Sequence, residues 1–194
     1  MVDYEKNRPI KLVGEKIKLG PLIESDLEYF TNWFNDIDVM QYWGLAHEVE
    51  SIEKMKKWFD KMKDQKDEAW FTILEKDSLK PIGLTGLVEI NLVHRNAEYA
   101  IFIGDKKYWS NGYGTDAGKL VMDYGFNLLN LHNILLHVYD FNKRGIKSYE
   151  KFGFKEIGRQ SEWGRFNGNW VDMITMELLD RNFKHSRIED HLTK

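Results

Sequence analysis

The sequence contains no cysteine and little proline. Its 194 residues include three Pro and no Cys. Disulfide bonds, thiolate metal sites and a cysteine nucleophile are therefore excluded, and the composition suits a reducing compartment. We accordingly predict a cytoplasmic protein.

Long apolar runs and a strong excess of either charge are also absent. The first residues are polar and charged, so we expect neither a signal peptide nor a membrane-spanning helix. The formal net charge of −3 provides no electrostatic footprint for nucleic acid. The histidines lack metal-ligand spacing and there is no G-x-S-x-G elbow, so the sequence predicts no metal and no covalent acyl-enzyme.

The apolar content that is present suffices for one core. Hydrophobic residues make up 42% of the chain and aromatic residues 14%. A chain of this length forms one domain more readily than two. We predict a single domain over residues 1–194, with a core at about 16–179 and a charged tail at 180–194.

Hydrophobic periodicity predicts an α+β fold. Strands are expected at 16–19, 70–75, 81–90, 96–103 and 133–138, followed by a hairpin at 154–178 with a type I′ turn at Asn167-Gly168. Helices are expected at 27–34, 52–63 and 143–152, the first capped by Ser25 or Asp26. The strands between 70 and 103 are joined by short links, which predicts an antiparallel meander. Residues 1–15 and 35–51 are expected to be irregular.

The stretch from 97 to 115 joins an alternating strand to a glycine-rich turn and a helix start. Glu98 and Phe102 point to one side of the strand, and Tyr99 and Ile103 to the other. The helix opens at Gly112-Tyr113-Gly114-Thr115. Unpaired N–H groups and the helix dipole make such a start an anion site.

Two kinds of phosphate site fit this turn. Residues 112–117 match the loose dinucleotide pattern G-x-G-x-x-G/A, which also needs a parallel sheet and an acid about 20 residues later. The nearest acid that closes a strand is Asp140, and too little chain follows it for the rest of a doubly wound sheet. A nucleotide-binding module is therefore the least favoured alternative.

The other interpretation is a resemblance to the GCN5-related N-acetyltransferases (GNAT). Their acyl-CoA motif Q/R-x-x-G-x-G/A is met at 109–114, with Trp109 in place of Gln or Arg. The motif YW-x-x-GYGT-x-A is similar to that of the RimJ/RimL-like branch of ribosomal-protein and spermidine-type enzymes. Asn142 followed by 148–154, and 33–36 with Tyr42, extend the resemblance over most of 16–179.

The resemblance implies a mixed, mostly antiparallel twisted sheet flanked by helices and splayed between its fourth and fifth strands, 96–103 and 133–138. Acetyl-CoA would lie in that gap, with the backbone of Phe102 and Ile103 pairing with the pantetheine arm. Further cofactor contacts are implied for Trp109, Asn111, Gly112, Tyr113, Gly114, Thr115 and Asn142. Basic candidates for the 3′-phosphate are Lys106, Lys107, Lys143 and Arg144.

Acetyl transfer to an amine requires a base, because an alkylammonium of pKa near 10.4 has no lone pair. Glu98 has apolar neighbours, which would raise the pKa of its carboxyl towards that of a useful base. The resemblance assigns the same role to Glu98 and makes Tyr149 the acid that protonates the CoA thiolate. A solvated Glu98 and a Tyr149 that merely packs in the core are the alternatives.

The acceptor is expected to meet the link at 35–51. The resemblance folds this link over the acceptor pocket, which makes Tyr42 and Trp43 candidates to touch substrate. From Thr31 to Glu53 there are five carboxylates and neither Lys nor Arg. If these carboxylates reach the pocket, their field would favour multiply positive amines.

We therefore expect an enzyme that moves acetyl from acetyl-CoA directly to a primary amine, either a protein N-terminus or a small amine such as a polyamine. A homodimer is compatible with the sequence. A catalytically silent acyl-CoA-binding regulator is the alternative of a different class, and acceptor identity lies beyond what cofactor motifs encode.

Overall fold

One eight-stranded sheet organises the protein, whose computed structural model describes residues 8–184. The strands are β1 (Leu12–Val13), β2 (Ile17–Gly20), β3 (Ala69–Glu75), β4 (Pro81–Asn91), β5 (Asn96–Ile103), β6 (Asn133–Tyr139), β7 (Lys155–Phe166) and β8 (Asn169–Leu179). Their order in the sheet is β1-β2-β3-β4-β5-β6-β8-β7. Neighbouring strands are antiparallel except for the parallel pair β5–β6.

Helices cover both faces of the sheet. They are α1 (Leu27–Phe34), α2 (Ile37–Met40), α3 (Ile52–Asp64), α4 (Tyr113–Asp123) and α5 (Lys143–Lys151). The side chain of Phe102 packs in the hydrophobic cluster around α1–α3. That of Tyr99, on the other face of β5, packs in the larger hydrophobic cluster around α4. The alternating side chains of β5 thus contribute to two hydrophobic layers, one on each face of the sheet. Among residues 8–184, no helix is long and apolar enough to cross a membrane.

The splay between β5 and β6 is the feature that positions the site. The two strands pair over three residues, Asn96–Glu98 with Asn133–Leu135, and then separate. This confirms the predicted fold class and the place of the splay, with β5 and β6 as the fourth and fifth predicted strands. The antiparallel β3–β4–β5 meander excludes the doubly wound sheet that a dinucleotide site would require.

The N-terminal predictions need two corrections. Residues 12–13 form a strand, so ordered structure begins before the expected boundary at 16. Asp26 does not cap α1 with its side chain. It is buried, and its Oδ1 accepts from the Arg8 guanidinium at 2.6 Å while its Oδ2 accepts from the Thr72 hydroxyl at 2.6 Å. The Asp26 carboxylate forms a long-range ion pair with Arg8 and does not form the α1 cap that the local sequence predicts.

The turns follow their local chemistry. Asn167 and Gly168 both have positive φ, 47° and 81°, as the predicted type I′ hairpin requires. A Cβ on Gly83 would lie 2.3 Å from the Phe102 carbonyl, so this glycine marks a close backbone approach. At the other end, Asp180–Asn182 form one 3₁₀ turn and Phe183 packs against Phe126, which places the start of the predicted tail against the core. The rest of that tail lies outside the described residues.

Candidate acetyl-transfer site

A cleft of about 800 Å³ occupies the splay. Its walls come from β5, the turn before α4, the end of β6, α5 and the link after α1. It brings together most of the predicted site residues, namely Tyr42, Trp43, Glu98, Phe102, Ile103, Trp109, Gly112, Gly114, Thr115, Asn142 and Tyr149. Asn111 and Tyr113 do not line it; the Asn111 carbonyl accepts from Lys16 Nζ and the Tyr113 ring packs on Tyr108.

The backbone edge that β5 presents to the cleft belongs to Ile101 and Ile103. The Gly104 N–H donates to Ile82 of β4, and the Ala100 carbonyl accepts from the Thr85 hydroxyl, so even-numbered residues turn their backbone towards β4. By the same alternation, Ile101 and Ile103 face the splay. The prediction that Phe102 backbone pairs with pantetheine is therefore wrong, because its polar groups are turned towards the neighbouring strand.

Two tryptophans cap this edge. The indole Nε1–H of Trp43 donates to the Ile101 carbonyl at 3.0 Å, and that of Trp109 donates to the Ile103 carbonyl at 2.7 Å. Both carbonyls are thus satisfied by side chains, while the N–H groups of Ile101 and Ile103 remain directed at the cleft. An extended ligand would meet hydrogen-bond donors first.

The N-terminus of α4 forms the anion-binding corner. Gly112 caps the helix at φ 86°, a left-handed conformation that glycine adopts without strain. The N–H groups of the first turn have no partner within the helix. The acid of that turn, Asp116, points away from the cleft and accepts from the Lys16 and Ile17 N–H groups, so it does not repel an anion there.

Basic side chains gather along α5. Lys143, Arg144, Lys147 and Lys151 line the cleft. Lys106 does not, because its ammonium is held by Asp36 at 2.9 Å and Asp38 at 2.8 Å. Of the four predicted phosphate candidates, Lys143 and Arg144 therefore reach the cleft, whereas Lys106 and Lys107 do not.

Arg144 reaches across the cleft to aromatic rings on the opposite wall. Its guanidinium lies 3.8 Å from the Trp109 ring centroid and 5.3 Å from that of Tyr42. Partial burial lowers its pKa, opposed by Tyr42 and Tyr149. This cation–π contact ties α5 to the turn before α4. Trp109 replaces the Gln or Arg of the family motif. Its ring nevertheless holds the guanidinium of Arg144 in the cleft.

Glu98 is the single carboxylate among the described residues that line the cleft. Within residues 8–184 it makes neither an ion pair nor a hydrogen bond through its side chain. Burial raises the pKa of its carboxyl; a positive charge on His137 acts in the opposite direction, and the charge of Glu89 adds to the increase. An unpaired, partly desolvated carboxylate is suited to accept a proton.

Tyr149 lies on α5 with its ring against Tyr99, at 6.2 Å between centroids. Burial raises the pKa of its hydroxyl to about 12, with a smaller opposing effect from Arg144. The phenol is therefore protonated at neutral pH. Asn142 caps α5, its Oδ1 accepting from the Gly145 N–H at 2.9 Å, as its place at the strand-to-helix junction predicts.

Tyr42 and Trp43 line the cleft but are already engaged. Trp43 packs against Phe102 at 5.0 Å, and Tyr42 shares Arg144 with Trp109. The five carboxylates between Thr31 and Glu53 do not line the cleft. The acidic link is therefore not the wall that an acceptor amine would touch.

The sequence analysis did not single out His137, which lines the cleft, or Lys16, which lies beside the turn before α4. His137 lines the cleft on the same face as Glu98, because β5 and β6 pair with Glu98 opposite Leu135. The alternation of buried Ile134, Leu136 and Val138 could have revealed this exposed face. Lys16 reaches Asn111 from 95 positions away, which no local pattern encodes.

Within residues 8–184, no group of three or more His, Cys, Asp or Glu side chains is arranged to hold a metal ion. The site combines an open strand edge and a helix N-terminus with the carboxylate of Glu98 and the phenol of Tyr149. These are the parts that direct transfer from a thioester to an amine requires.

Known proteins share this architecture. Spermidine N(1)-acetyltransferase from Escherichia coli strain K12 is 37% identical over 180 residues, which are 93% of this chain and 92% of that protein. The enzyme of the same name from Vibrio cholerae is 31% identical over 88% of this chain and 97% of its own. The crystal structure of spermidine N-acetyltransferase from Vibrio cholerae in complex with CoA and spermine superposes with a TM-score of 0.79, at 31% identity over 86% of this chain and 97% of that one.

The family profile described as an acetyltransferase (GNAT) domain matches residues 16–155, which include the splay, the Gly112 turn and all of α5. The sequence resemblance to this superfamily is confirmed, and the enzyme class and acetyl-CoA as co-substrate follow with it. The RimJ/RimL-like branch stays a prediction. With its splayed sheet and glycine-capped helix start, this chain belongs to the GNAT family of N-acetyltransferases.

Proposed function

We propose that the enzyme acetylates a primary amine of a polyamine, with Glu98 as the base and Tyr149 as the acid. The observation that carries this proposal is the position of Glu98: an unpaired carboxylate in a cleft whose other charged residues are basic. A multiply charged amine has one carboxylate to meet there. The acetyl-CoA phosphates are drawn to the opposite, basic side along α5.

The aromatic wall supports the same acceptor class. Trp70, Tyr139 and Trp163 line the cleft in addition to Tyr42 and Trp43. Ring faces attract ammonium groups, and aliphatic segments between ammonium groups pack on the same rings. The relatives named above act on spermidine, and the Vibrio cholerae complex contains spermine, which makes polyamines the first compounds to test.

The protein's groups divide the proton chemistry between them. Glu98 accepts a proton from the substrate ammonium, which frees the nitrogen lone pair to attack the thioester carbonyl. Tyr149 donates its phenolic proton to the departing CoA thiolate, whose ordinary thiol pKa is about 8.5. The phenolate then recovers a proton from the nitrogen, which becomes the neutral amide. The N–H groups of Ile101 and Ile103 and those of the first turn of α4 hold the thioester arm and the pyrophosphate. Transfer is direct, since no cysteine is available.

A thiol-release assay with acetyl-CoA and a panel of acceptors tests the proposal. We expect spermidine and spermine to be better acceptors than a neutral amine or an acidic N-terminal peptide. Their KM should rise between about 50 mM and about 500 mM salt, as ionic screening weakens the attraction to Glu98. A preference for acidic peptides would contradict the polyamine proposal.

A matched pair of variants separates the cleft carboxylate from the acidic link. Asp38→Asn removes one of the two carboxylates that share the Lys106 ammonium outside the cleft, and it should leave the spermidine KM unchanged. Glu98→Gln removes the charge inside the cleft. A KM that responds to Asp38→Asn would restore the link as the selecting element.

We also keep the cytoplasm as the proposed location, because a chain without cysteine suits a reducing compartment. The homodimer stays a prediction that sedimentation or size-exclusion chromatography of the purified enzyme can test.

A further inference from the structure

The reaction leaves one proton that neither proposed catalytic group can keep. A primary ammonium carries three N–H protons and the product amide carries one. The CoA thiolate takes up one of the two that leave. The other must pass from the site to solvent in every turnover, and Glu98 must lose it before the next substrate binds.

The sheet places one exposed imidazole beside Glu98. Glu98 of β5 pairs with Leu135 of β6, and His137 lies two residues further along β6 on the same face. Both side chains line the cleft. His137 is exposed to solvent, whereas Ile134, Leu136 and Val138 on the other face of β6 are buried. The imidazole therefore stands between a partly buried carboxylate and water.

The third strand of this region orients the ring. His137 pairs with Thr175 of β8, and the Thr175 hydroxyl lies 3.2 Å from His137 Nδ1. If Nδ1–H donates to the hydroxyl, Nε2 holds the lone pair that can accept a proton. Within residues 8–184, Nε2 makes no hydrogen bond or ion pair.

The charged groups around Glu98 and His137 come from the neighbouring strands. They are Glu98 of β5, Glu89 of β4, Glu177 of β8 and, opposite Glu177, Lys155 of β7. Tyr139 follows on β6 itself, and Arg144 and Lys147 of α5 line the same cleft. The Glu177 carboxylate is held by the Asn133 amide at 3.3 Å. Among the carboxylates of this set, Glu98 is the one that lines the cleft.

We propose that His137 relays the surplus proton from Glu98 to solvent, with Thr175 fixing the tautomer that can accept it. Glu98 first takes the proton from the substrate ammonium and becomes a carboxylic acid. Because the two groups are not in hydrogen-bond contact, the proton crosses one intervening water to Nε2 of neutral His137. This step regenerates the carboxylate, and the imidazolium releases the proton to solvent. This inference rests on Glu98 as the base of the proposed function.

The test compares His137→Gln with His94→Gln, an exposed histidine at the β4–β5 turn outside the cleft. We expect kcat of His137→Gln to fall by about tenfold or more at neutral pH, with unchanged CoA affinity and thermal stability, because a proton-transfer step is slowed. Free imidazole should restore most of the loss, since the position is open to solvent. His94→Gln should behave as the unmodified enzyme, with or without imidazole.

Thr175 gives a second readout. Thr175→Val should shift the acidic limb of the kcat/KM–pH profile and lower kcat less than His137→Gln does, and Thr175→Ser should restore the profile. An unchanged pH profile and no imidazole effect for His137→Gln would overturn the relay. A fully active Glu98→Gln enzyme would overturn the base itself, whereas a severe Glu98 defect beside a normal His137→Gln enzyme would overturn the relay alone.

Discussion

The two walls of the cleft are built from different parts of the chain. At the start of α4, ligand contacts are offered by backbone N–H groups, and the decisive residue is Gly112, which has no side chain. Where β5 meets β6, the contacts are offered by side chains, Glu98 and His137 among them. Ligand binding at the first wall depends on backbone conformation, and ligand binding at the second depends on which side chains are present.

This difference explains what the sequence motifs can encode. A backbone wall recognises what all acyl-CoA substrates share, so a short glycine pattern is enough to mark it. A side-chain wall can be changed residue by residue while the fold stays the same. Variants in the second wall should therefore alter turnover, and variants in the first should alter cofactor affinity.

Glu98→Gln should give the largest effect. Loss of a positioned base is expected to lower kcat by roughly 10²–10⁴ at neutral pH, with little change in CoA affinity. Steady-state kinetics and CoA titration measure the two quantities. A decrease of less than about threefold would make Glu98 a structural residue.

The pH profile sharpens the same prediction. Glu98 acts when ionised, and burial raises the pKa of its carboxyl, so kcat/KM should fall as pH drops through a value above that of an exposed glutamate. Glu89→Gln removes a charge that contributes to the increase, and it should move this limb to lower pH while keeping kcat near that of the unmodified enzyme.

Tyr149→Phe should come next. It removes one hydroxyl and keeps the ring contacts with Tyr99 and Phe152, so the fold should persist. Turnover is expected to fall by about 10², the lower end of what a positioned acid contributes. Full activity under conditions where the chemical step limits the rate would remove Tyr149 from the mechanism.

Gly112→Val should give the smallest effect, and it should change CoA affinity and not kcat. A left-handed conformation costs an ordinary residue about 1–2 kcal/mol, so the turn should relax and CoA should bind about tenfold more weakly. The kcat at saturating acetyl-CoA should change little. Gly158→Val is the control, since a Cβ there meets nothing within 4 Å. Equal CoA affinities for the two variants would contradict the backbone wall.

Much of the fold was predictable because its signals are local. Alternation along 96–103 assigned the two faces of β5, and Asn167-Gly168 specified the hairpin turn. The glycines at 112 and 114 marked the helix start. Each of these features is determined by residues within a few positions of one another.

The contacts that complete the site are not local. The hydrogen bond from Trp43 to Ile101 spans 58 positions, and that from Lys16 N–H to Asp116 spans 100. Asp26 has the sequence signature of a cap, yet Arg8 and Thr72 compete for it in the folded protein. Hydrophobic periodicity cannot predict which of two possible hydrogen-bond partners a side chain takes, because that choice depends on burial and on the approach of distant strands.

The tryptophan-capped edge of β5 also bears on self-association. A sheet that opens in its middle exposes an internal edge, and free edges allow strands of other molecules to add and aggregate. The indoles of Trp43 and Trp109 occupy the carbonyls of Ile101 and Ile103, which leaves half of the pairing pattern that an invading strand would need. The gap can therefore stay open for a thin thioester arm while it resists the addition of another polypeptide.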